Sequence, residues 1–487
     1  MAEKAKMKDM IVILPGILGS VLQKDGVDLW NVSGQAIWQI VSSLGQRVQD
    51  LKLEGDDRNG GDLGDGIKAT KLIADTHLIP GLWKIDGYTQ TSKLITDNFQ
   101  VTEGNIYEDP EDKAANFYHF PYDWRRDNRG NANILKRLLA KRLKAWRDQS
   151  GNKDAKVILL AHSMGGLISR YYLEVLGGWQ DCRALFTFGT PYRGSVNPVN
   201  FLANGYKKAF IDLTEVMRSM TAVYQLLPTY EMLQYENQFY RIAESPVELP
   251  NIVKAKAGDA LKFHREIEEA VKTNQKEEKY RNSLITVPIV GINQTTLQSA
   301  TFIKGKIDTV GDLPPIIQNN PGLAEGDGTV PEVSAYPPEF TGQQVFMASS
   351  IAEKHGSLQN QSQILTDLLQ RLQNSQFDLR VARGRGQKAI DLTLDDLYFA
   401  DEPVIVTAKE TGISASNSLK AEITCVSDKR EPINLDFEGS GQKWELTIEK
   451  LPPGLYRIKV KAENSSNSPT TPVNDLFEVG NKSDYQV

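Results

Sequence analysis

Short, wholly apolar runs punctuated by glycine and proline occupy the first three-quarters of the chain, and a two-residue alternation replaces them near the C-terminus. Met10-Ile11-Val12-Ile13-Leu14, Phe117 to Tyr122, Val157-Ile158-Leu159-Leu160, Cys182 to Phe188, Ser283 to Val290 and Val345-Phe346-Met347-Ala348 read as strands. Between them, Ile134, Leu135, Leu138, Leu139, Leu143 and Trp146 recur at three and four, which predicts an amphipathic helix with a lysine and arginine outer face. Further helices are expected over Leu167 to Leu176 and from Glu353 to Leu372. This alternation of buried strand and helix predicts an α/β fold with a mostly parallel sheet flanked by helices.

Beyond the arginine- and glycine-bearing stretch 377–389, read as a linker, the texture changes. Val404-Ile405-Val406, Ala421 to Val426, Trp444 to Ile448 and Tyr456 to Val460 alternate with period two between turn residues, the pattern of an antiparallel sandwich. Leu451-Pro452-Pro453-Gly454-Leu455-Tyr456 resembles the tyrosine corner of immunoglobulin-like folds, a structural device. The expected organisation is thus an α/β domain over 1–376, with insertions at about 22–90 and 195–250, and an all-β immunoglobulin-like domain over 390–487.

Composition narrows the function class. A net charge of -6 across 487 residues argues against a nucleic-acid partner, because a polyanion needs a basic face. Two cysteines, Cys182 and Cys425, fall in different expected domains, so no disulfide framework is predicted. No apolar run approaches the ~18 residues of a membrane span, and Met1 to Asp9 is polar and runs straight into the first strand without a secretory core. The expectation is a cytoplasmic protein, peripheral on membranes where it meets lipid. The glycine-rich loop 54–66 lacks the lysine of a phosphate cradle, and the acidic patch Glu108 to Asp112 reads as a solvated turn before it reads as a calcium site. Neither a cofactor nor a metal is expected.

The candidate chemistry centres on Ala161-His162-Ser163-Met164-Gly165-Gly166, between a strand and a helix. Small residues two positions either side of Ser163 are what a nucleophile elbow requires, although an ordinary βα turn with a capping serine fits the same letters. The loop Leu14 to Ser20, with Gly16 and Gly19, is either a plain tight turn or the source of an oxyanion-hole N–H at Ile17, paired with that of Met164. Five histidines occur. His162 belongs to the elbow and is expected to point away from the serine hydroxyl, while His77, His119 and His264 fall in a loop, a strand and a charged helix. His355, where a loop meets a helix start, remains as the base. For the acid, Asp308, Asp312 and Glu325 compete with Asp327, which its flanking glycines favour. The order Ser163, Asp327, His355 is that of α/β-hydrolases, and the chemistry needs a hydroxyl to attack, an imidazole to carry its proton and a carboxylate to orient the imidazole.

Two insertions frame this site. Leu29 to Leu44 carries Trp30 and Trp38 in an apolar stripe that suits either core packing or contact with lipid. Val196 to Arg241 is long and apolar, so it is either a mobile lid or a fixed cap. Substrate and lid contacts are expected from Trp30, Trp38, Tyr192, Phe210, Met217 and Met220.

Taken in order, Leu14 to Ser20, Pro121-Tyr122-Asp123-Trp124-Arg125, the elbow, Gly189-Thr190-Pro191, Gly326-Asp327-Gly328-Thr329-Val330-Pro331 and Lys354-His355 resemble the lecithin:cholesterol acyltransferase family, which includes lysosomal phospholipase A2 and phospholipid:diacylglycerol acyltransferases. The resemblance runs over about residues 10 to 372. It implies an α/β-hydrolase fold with cap insertions and a serine lipase, phospholipase or O-acyltransferase that passes an acyl group from a lipid ester through Ser163, with Asp327, His355 and the N–H groups of Ile17 and Met164 in the roles above. The absence of a cysteine between Trp30 and Leu44 sets the chain apart from lipoprotein-associated and lysosomal members and points to a bacterial or cytosolic setting. The sandwich lies outside the family's usual boundary and is expected to be accessory, with a protein or glycan as its partner. A carboxylesterase of small soluble esters and a non-catalytic adaptor on a hydrolase frame are the alternatives.

Overall fold

The computed structural model describes residues 4–31, 49–73, 77–79, 83–108, 114–208, 211–318, 321–341, 348–374, 389–411, 418–428, 430–440, 443–463 and 471–482. Trp38, Phe210, residues 109–112 of the acidic patch Glu108 to Asp112 and nearly all of the 377–389 stretch lie outside them.

Seven parallel strands form the central sheet: β1 (Met10–Leu14), β2 (Glu103–Asn105), β3 (Phe117–His119), β4 (Val157–His162), β5 (Cys182–Phe188), β6 (Ile285–Ile292) and β7 (Ser349–Ala352). Their order across the sheet is β7-β6-β5-β4-β1-β3-β2, with β1 and β4 at the centre. Every residue of both central strands is buried. Alternate side chains of β1 serve opposite faces. Met10, Val12 and Leu14 join Leu135, Leu139 and Leu143 of α2 (Asn128–Ser150) and Leu167 of α3 (Met164–Arg170), whereas Ile11 and Ile13 join Ile95 of α1 (Thr89–Asn98) and a second group of helical side chains. A parallel strand covered on both faces is therefore apolar at every position, which is why these runs are legible. The amphipathic segment forms α2 as expected, capped by the Asp127 carboxylate at the Arg129 N–H and ended by Gly151 in a left-handed conformation.

Several boundaries differ from the sequence expectation. The strand predicted to reach Tyr122 stops at His119, because Tyr122 and Trp124 turn away to bond Pro15 and Ser20 of the neighbouring loop. The last described strand of the sheet is Ser349–Ala352, and residues 345–347 of the expected Val345 to Ala348 strand lie outside the described residues. His355 opens a short 3₁₀ helix, His355–Asn360, rather than a continuous one. Gln361 then becomes extended and its side-chain oxygen accepts from the N–H groups of Gln363 and Ile364, starting α8 (Ser362–Asn374) afresh. Asp327 does not follow a strand directly. It is reached through the hairpin Ser299–Ile303/Lys306–Val310 and is brought to the end of β6 because Gln294 exchanges backbone bonds with Gly326. His77 lies in the strand His77–Ile79, not in a loop.

The insertion after β5 supplies α4 (Asn197–Asn204), α5 (Thr214–Ser219) and α6 (Thr221–Gln225); α6 rests on α7 (Lys254–Asn274), and α4 packs on α5 and on the strand Lys306–Val310. The C-terminal part is a two-sheet sandwich. One sheet runs β8 (Ala389–Leu394), β10 (Val404–Thr411), β14 (Lys443–Ile448), β13 (Glu438–Ser440), and the other runs β9 (Leu397–Phe399), β16 (Val473–Gly480), β15 (Gly454–Glu463), β11 (Ser418–Cys425), β12 (Ile433–Asp436). Inward residues of both, such as Val406, Leu446, Ile423 and Ile458, share one core. The Tyr456 hydroxyl donates to Pro452 O and accepts from Arg430, the tie that the sequence predicts. Cys182 and Cys425 are both free. Among the described residues no helix is long and apolar enough to cross a membrane.

The sandwich docks on the strand ends of the sheet through Leu455 and Leu476, which join the main apolar core, and through polar contacts. Lys84 Nζ lies 2.7 Å from Asp396 and 2.8 Å from Asp475, Arg457 pairs with Asp86, and Thr295 bonds Asp391. At the centre of this interface Glu353 is fully buried, with its carboxylate accepting from the N–H groups of Lys354 (2.9 Å) and Asn474 (3.1 Å) and from the Asn474 side chain (2.9 Å). Burial pushes its carboxyl up to about 7 from 4.5, partly opposed by those bonds and reinforced by the nearby Asp475 carboxylate. Because the folded value lies above the unfolded one, the protonated form stabilises the fold fully below pH 4.5, and this contribution is lost as pH rises through about 7. The stability of the protein relative to its Glu353→Gln variant is therefore predicted to fall between pH 4.5 and 8, by on the order of 3 kcal/mol in urea unfolding. A difference that is flat with pH contradicts the assignment.

Candidate active site

Ser163 stands at the sharp turn between β4 and α3 with φ 51° and ψ -122°, a conformation few non-glycine residues adopt. The start of α3 can approach the loops after β1 and β5 this closely only because the second and third residues after Ser163 are glycine. A Cβ on Gly165 would meet Pro15 O at 2.5 Å, and one on Gly166 would meet Thr190 Oγ1 at 1.9 Å. The turn is held by Ser163 N–H donating to Phe188 O (2.9 Å) and by the Thr190 hydroxyl donating to Ser163 O (3.0 Å).

The other two predicted residues meet it there. His355 Nε2 is 2.9 Å from Ser163 Oγ, and His355 Nδ1 is 2.7 Å from Asp327 Oδ2. Asp327 Oδ1 accepts from the N–H groups of Thr329 (3.0 Å) and Val330 (2.7 Å), so both carboxylate oxygens are fixed, and His355 N–H donates to Asp327 O at 2.9 Å. Since Asp327 accepts, Nδ1 carries the proton and Nε2 faces the serine as an acceptor. All three side chains are buried. Gly189 makes room for the pair: at φ 58°, a Cβ there would lie 2.9 Å from both Asp327 Oδ2 and His355 Nδ1. The rival acids lie elsewhere, with Asp308 in the Lys306–Val310 strand and Glu325 in the bridge region before the loop.

The loop Leu14 to Ser20 packs directly on the nucleophile, since a Cβ on Gly16 would fall 3.0 Å from Ser163 Cβ. The aromatic motif after β3 props it up. Tyr122 hydroxyl donates to Pro15 O (2.8 Å), Trp124 indole N–H to Ser20 O (3.0 Å), and Ser20 Oγ accepts from Tyr122 N–H (3.0 Å). Ile17 and Met164 are both buried, and among the described residues neither backbone N–H has a hydrogen-bond acceptor. Buried N–H groups are seldom left without one.

His162 does more than the sequence shows. Its Nε2 is 3.0 Å from the carbonyl of His355 and its Nδ1 is 3.0 Å from the Tyr88 hydroxyl, which accepts from Gly16 N–H at 2.8 Å. Burial, with His355 beside it, pulls its pKa down to about 3, so the ring is neutral. A carbonyl only accepts, so Nε2 carries the hydrogen and Nδ1 accepts from Tyr88. The result is a continuous line from the base's backbone through His162 and Tyr88 to the loop before Ile17. His264 is likewise buried and neutral, bonded to Gln225 O, away from the site.

A narrow apolar cavity of about 30 Å³ opens from Ser163 between Ile17, Phe201, Met217, Val223 and Leu226. Of the predicted substrate and lid residues, Met217 lines it. Tyr192 does not, because its hydroxyl is bonded to Thr187 and its ring faces Arg170. Met220 is buried outside the lining. Trp30 is no lipid contact: it packs edge-on against Trp124 and its indole N–H donates to Leu18 O. A polar cavity of about 240 Å³ lies beside Asp327 and His355, bounded by Lys84, Lys354, Asp396 and Asp475. Among the described residues no group of three or more His, Cys, Asp or Glu is arranged to hold a metal.

Replacing Tyr88 by Phe strands two buried groups, the Gly16 N–H and His162 Nδ1. The expected loss in urea unfolding is about 1–3 kcal/mol, and an unchanged stability contradicts the relay.

The family model "Lecithin:cholesterol acyltransferase" matches residues 90–305, which contain Ser163 and Met164 and end before Asp327 and His355. A comparison with curated proteins finds no match. Among solved structures, Bacillus licheniformis lipase BlEst2 in its propeptide form aligns over 97% of this chain and 93% of its own at 12% identity and a TM-score of 0.34. Its mature form aligns over 76% and 94% at 14% identity and the same TM-score. A CARDB domain from Pyrococcus furiosus aligns over 20% of this chain and 94% of its own at 10% identity, TM-score 0.14. The family match thus covers 90–305, the segment with the elbow and five of the seven sheet strands, and three of the six motifs, Leu14 to Ser20, Gly326 to Pro331 and Lys354-His355, lie outside it.

Proposed function

We propose that the chain is a serine esterase of acyl lipids, acting as a lipase, phospholipase or O-acyltransferase through an acyl-enzyme on Ser163. The observation that carries this reading is the buried relay from Asp327 through His355 to Ser163, with two acceptor-less N–H groups alongside. In the first half-reaction His355 Nε2 takes the hydroxyl proton as Ser163 Oγ attacks the ester carbonyl carbon. The oxygen that gains the electron pair is held by the N–H groups of Ile17 and Met164, each such donor being worth about 10²- to 10³-fold in turnover. Collapse breaks the carbon–oxygen bond, and the departing alcohol takes the proton back from Nε2. In the second half-reaction water or another alcohol repeats the sequence, giving a free acid or a new ester. Asp327 stays ionised and holds the imidazole in the required tautomer.

The apolar cavity favours the acyl group as its occupant. At about 30 Å³ it accommodates roughly two water molecules, far less than a long chain. A fatty acyl group therefore requires Phe201, Met217 and Leu226 to move apart, which gives the α4–α6 insertion its role as a lid. The same small volume is what favours the second reading, a carboxylesterase of short soluble esters.

A fluorophosphonate probe is predicted to label the protein on Ser163 and not its Ser163→Ala variant. On p-nitrophenyl esters, Ser163→Ala and His355→Ala should lower kcat by about 10⁴- to 10⁶-fold and Asp327→Asn by about 10⁴-fold. Absence of labelling removes the enzyme reading in favour of an adaptor. Phospholipid vesicles then separate the two esterase readings: release of fatty acid, or a new ester when a long-chain alcohol is added, supports the lipid reading, and turnover of short esters alone supports the other.

A further inference from the structure

The C-terminal sandwich is linked to the segments that carry the acid and the base at three points, once directly and twice through an intervening residue, Asp86 or Gln294. Ahead of His355, the buried Glu353 carboxylate is gripped by the backbone and side chain of Asn474, at the start of β16. Behind His355, Gly356 O accepts from Asp86 N–H, and Asn360 and Gln359 donate to the carbonyls of Asp86 and Gly87, while Arg457 of β15 pairs with Asp86. Ahead of Asp327, Gln294 exchanges backbone bonds with Gly326 and uses its side chain to bridge to β8, donating to Ile390 O at 2.8 Å. Each brace is polar and directional, so it fixes position where an apolar contact would allow sliding.

We propose that Asn474 is a positioning residue for the candidate triad: by clamping Glu353 it holds the backbone of the His355 loop, so the sandwich is a working part of the active site and not an appended binding module. The peptide units from Glu353 to His355 lie between this clamp and the His355 N–H bond to Asp327 O. Releasing the clamp frees one end of that short span, and a displacement of about 1 Å in a reacting group costs up to roughly 10²-fold in rate. The groups facing Glu353 are the Lys354 N–H from its own loop and, from the sandwich, Asn474 and the Asp475 carboxylate, the latter paired with Lys84.

The proposal rests on the reading of Ser163, Asp327 and His355 as a triad, and its test uses the full chain with two readouts. One is kcat and KM on a soluble short-chain ester. The other, read without substrate, is the low-field proton resonance of His355 Nδ1–H bonded to Asp327. Assayed above about pH 8, where Glu353 is ionised, Asn474→Asp sets a carboxylate against the Glu353 carboxylate, while Glu353→Gln with Asn474→Asp exchanges donor and acceptor and rebuilds the pair. Asn474→Asp is expected to lower kcat about 10- to 100-fold with KM within roughly twofold, and to shift or broaden the resonance, and the double variant is expected to recover most of both. A resonance and kcat unchanged by Asn474→Asp overturn the proposal, as does a double variant no better than the single one. If the wild type is inactive yet its resonance responds and recovers as described, the esterase reading fails and the brace stands.

Discussion

The site depends first on how near the start of α3, just past Ser163, comes to the loops after β1 and β5. A serine at φ 51° is strained by about 1–3 kcal/mol, and it persists only where its surroundings over-determine it. Here they do so from three sides: Pro15 O beneath Gly165, Thr190 over Gly166, and Phe188 O on the serine N–H. With the backbone so held, Oγ projects from the sheet toward His355, and the N–H of Met164 is left at the first position of a helix without an acceptor. The proposed nucleophile and one half of the proposed anion cradle are therefore consequences of a single steric fit.

A second constraint is the placement of polar groups in a buried setting. The loop before Ile17 hangs on Tyr122, Trp124 and Tyr88, and Tyr88 reaches His162, which reaches the backbone of His355. A neutral His162 is the connector this needs, since in a charged ring Nδ1 would become a donor and the Tyr88 hydroxyl proton would lose its acceptor. Burial enforces that neutrality. The base and the oxyanion loop are thereby fastened to one another, and the sandwich fastens the base loop in turn through Glu353 and Asp86.

How much of this was legible in the sequence follows from where each constraint acts. The central strands could be read because parallel strands covered on both faces are apolar at every position. The elbow could be read because its steric demand falls on adjacent residues, and the base because few histidines occur. Tyr88, Glu353 and Asn474 could not, since each works through one contact with a residue distant in the chain, and a tyrosine after a glycine or a glutamate before a lysine carries no local mark. Trp30 was ambiguous for a related reason: an apolar stripe records that a side chain is buried, not whether protein or lipid buries it. The break after Asn360 was hidden because the capping oxygen belongs to Gln361, whose ordinary place is within a helix. Tyr192 and Met220 lie close in sequence to the cavity residues but turn the other way, and spacing alone does not give that direction.

A crystal structure of the protein bearing an alkylphosphonate on Ser163 tests the central claim most directly, because the phosphonyl oxygen stands where the anionic oxygen of the reaction would be. The account predicts that oxygen within about 2.7–3.1 Å of the Ile17 and Met164 nitrogens and the alkyl chain between Phe201, Met217 and Leu226. An oxygen turned away from both nitrogens, or a chain directed into the polar cavity beside Lys84 and Asp475, would contradict it.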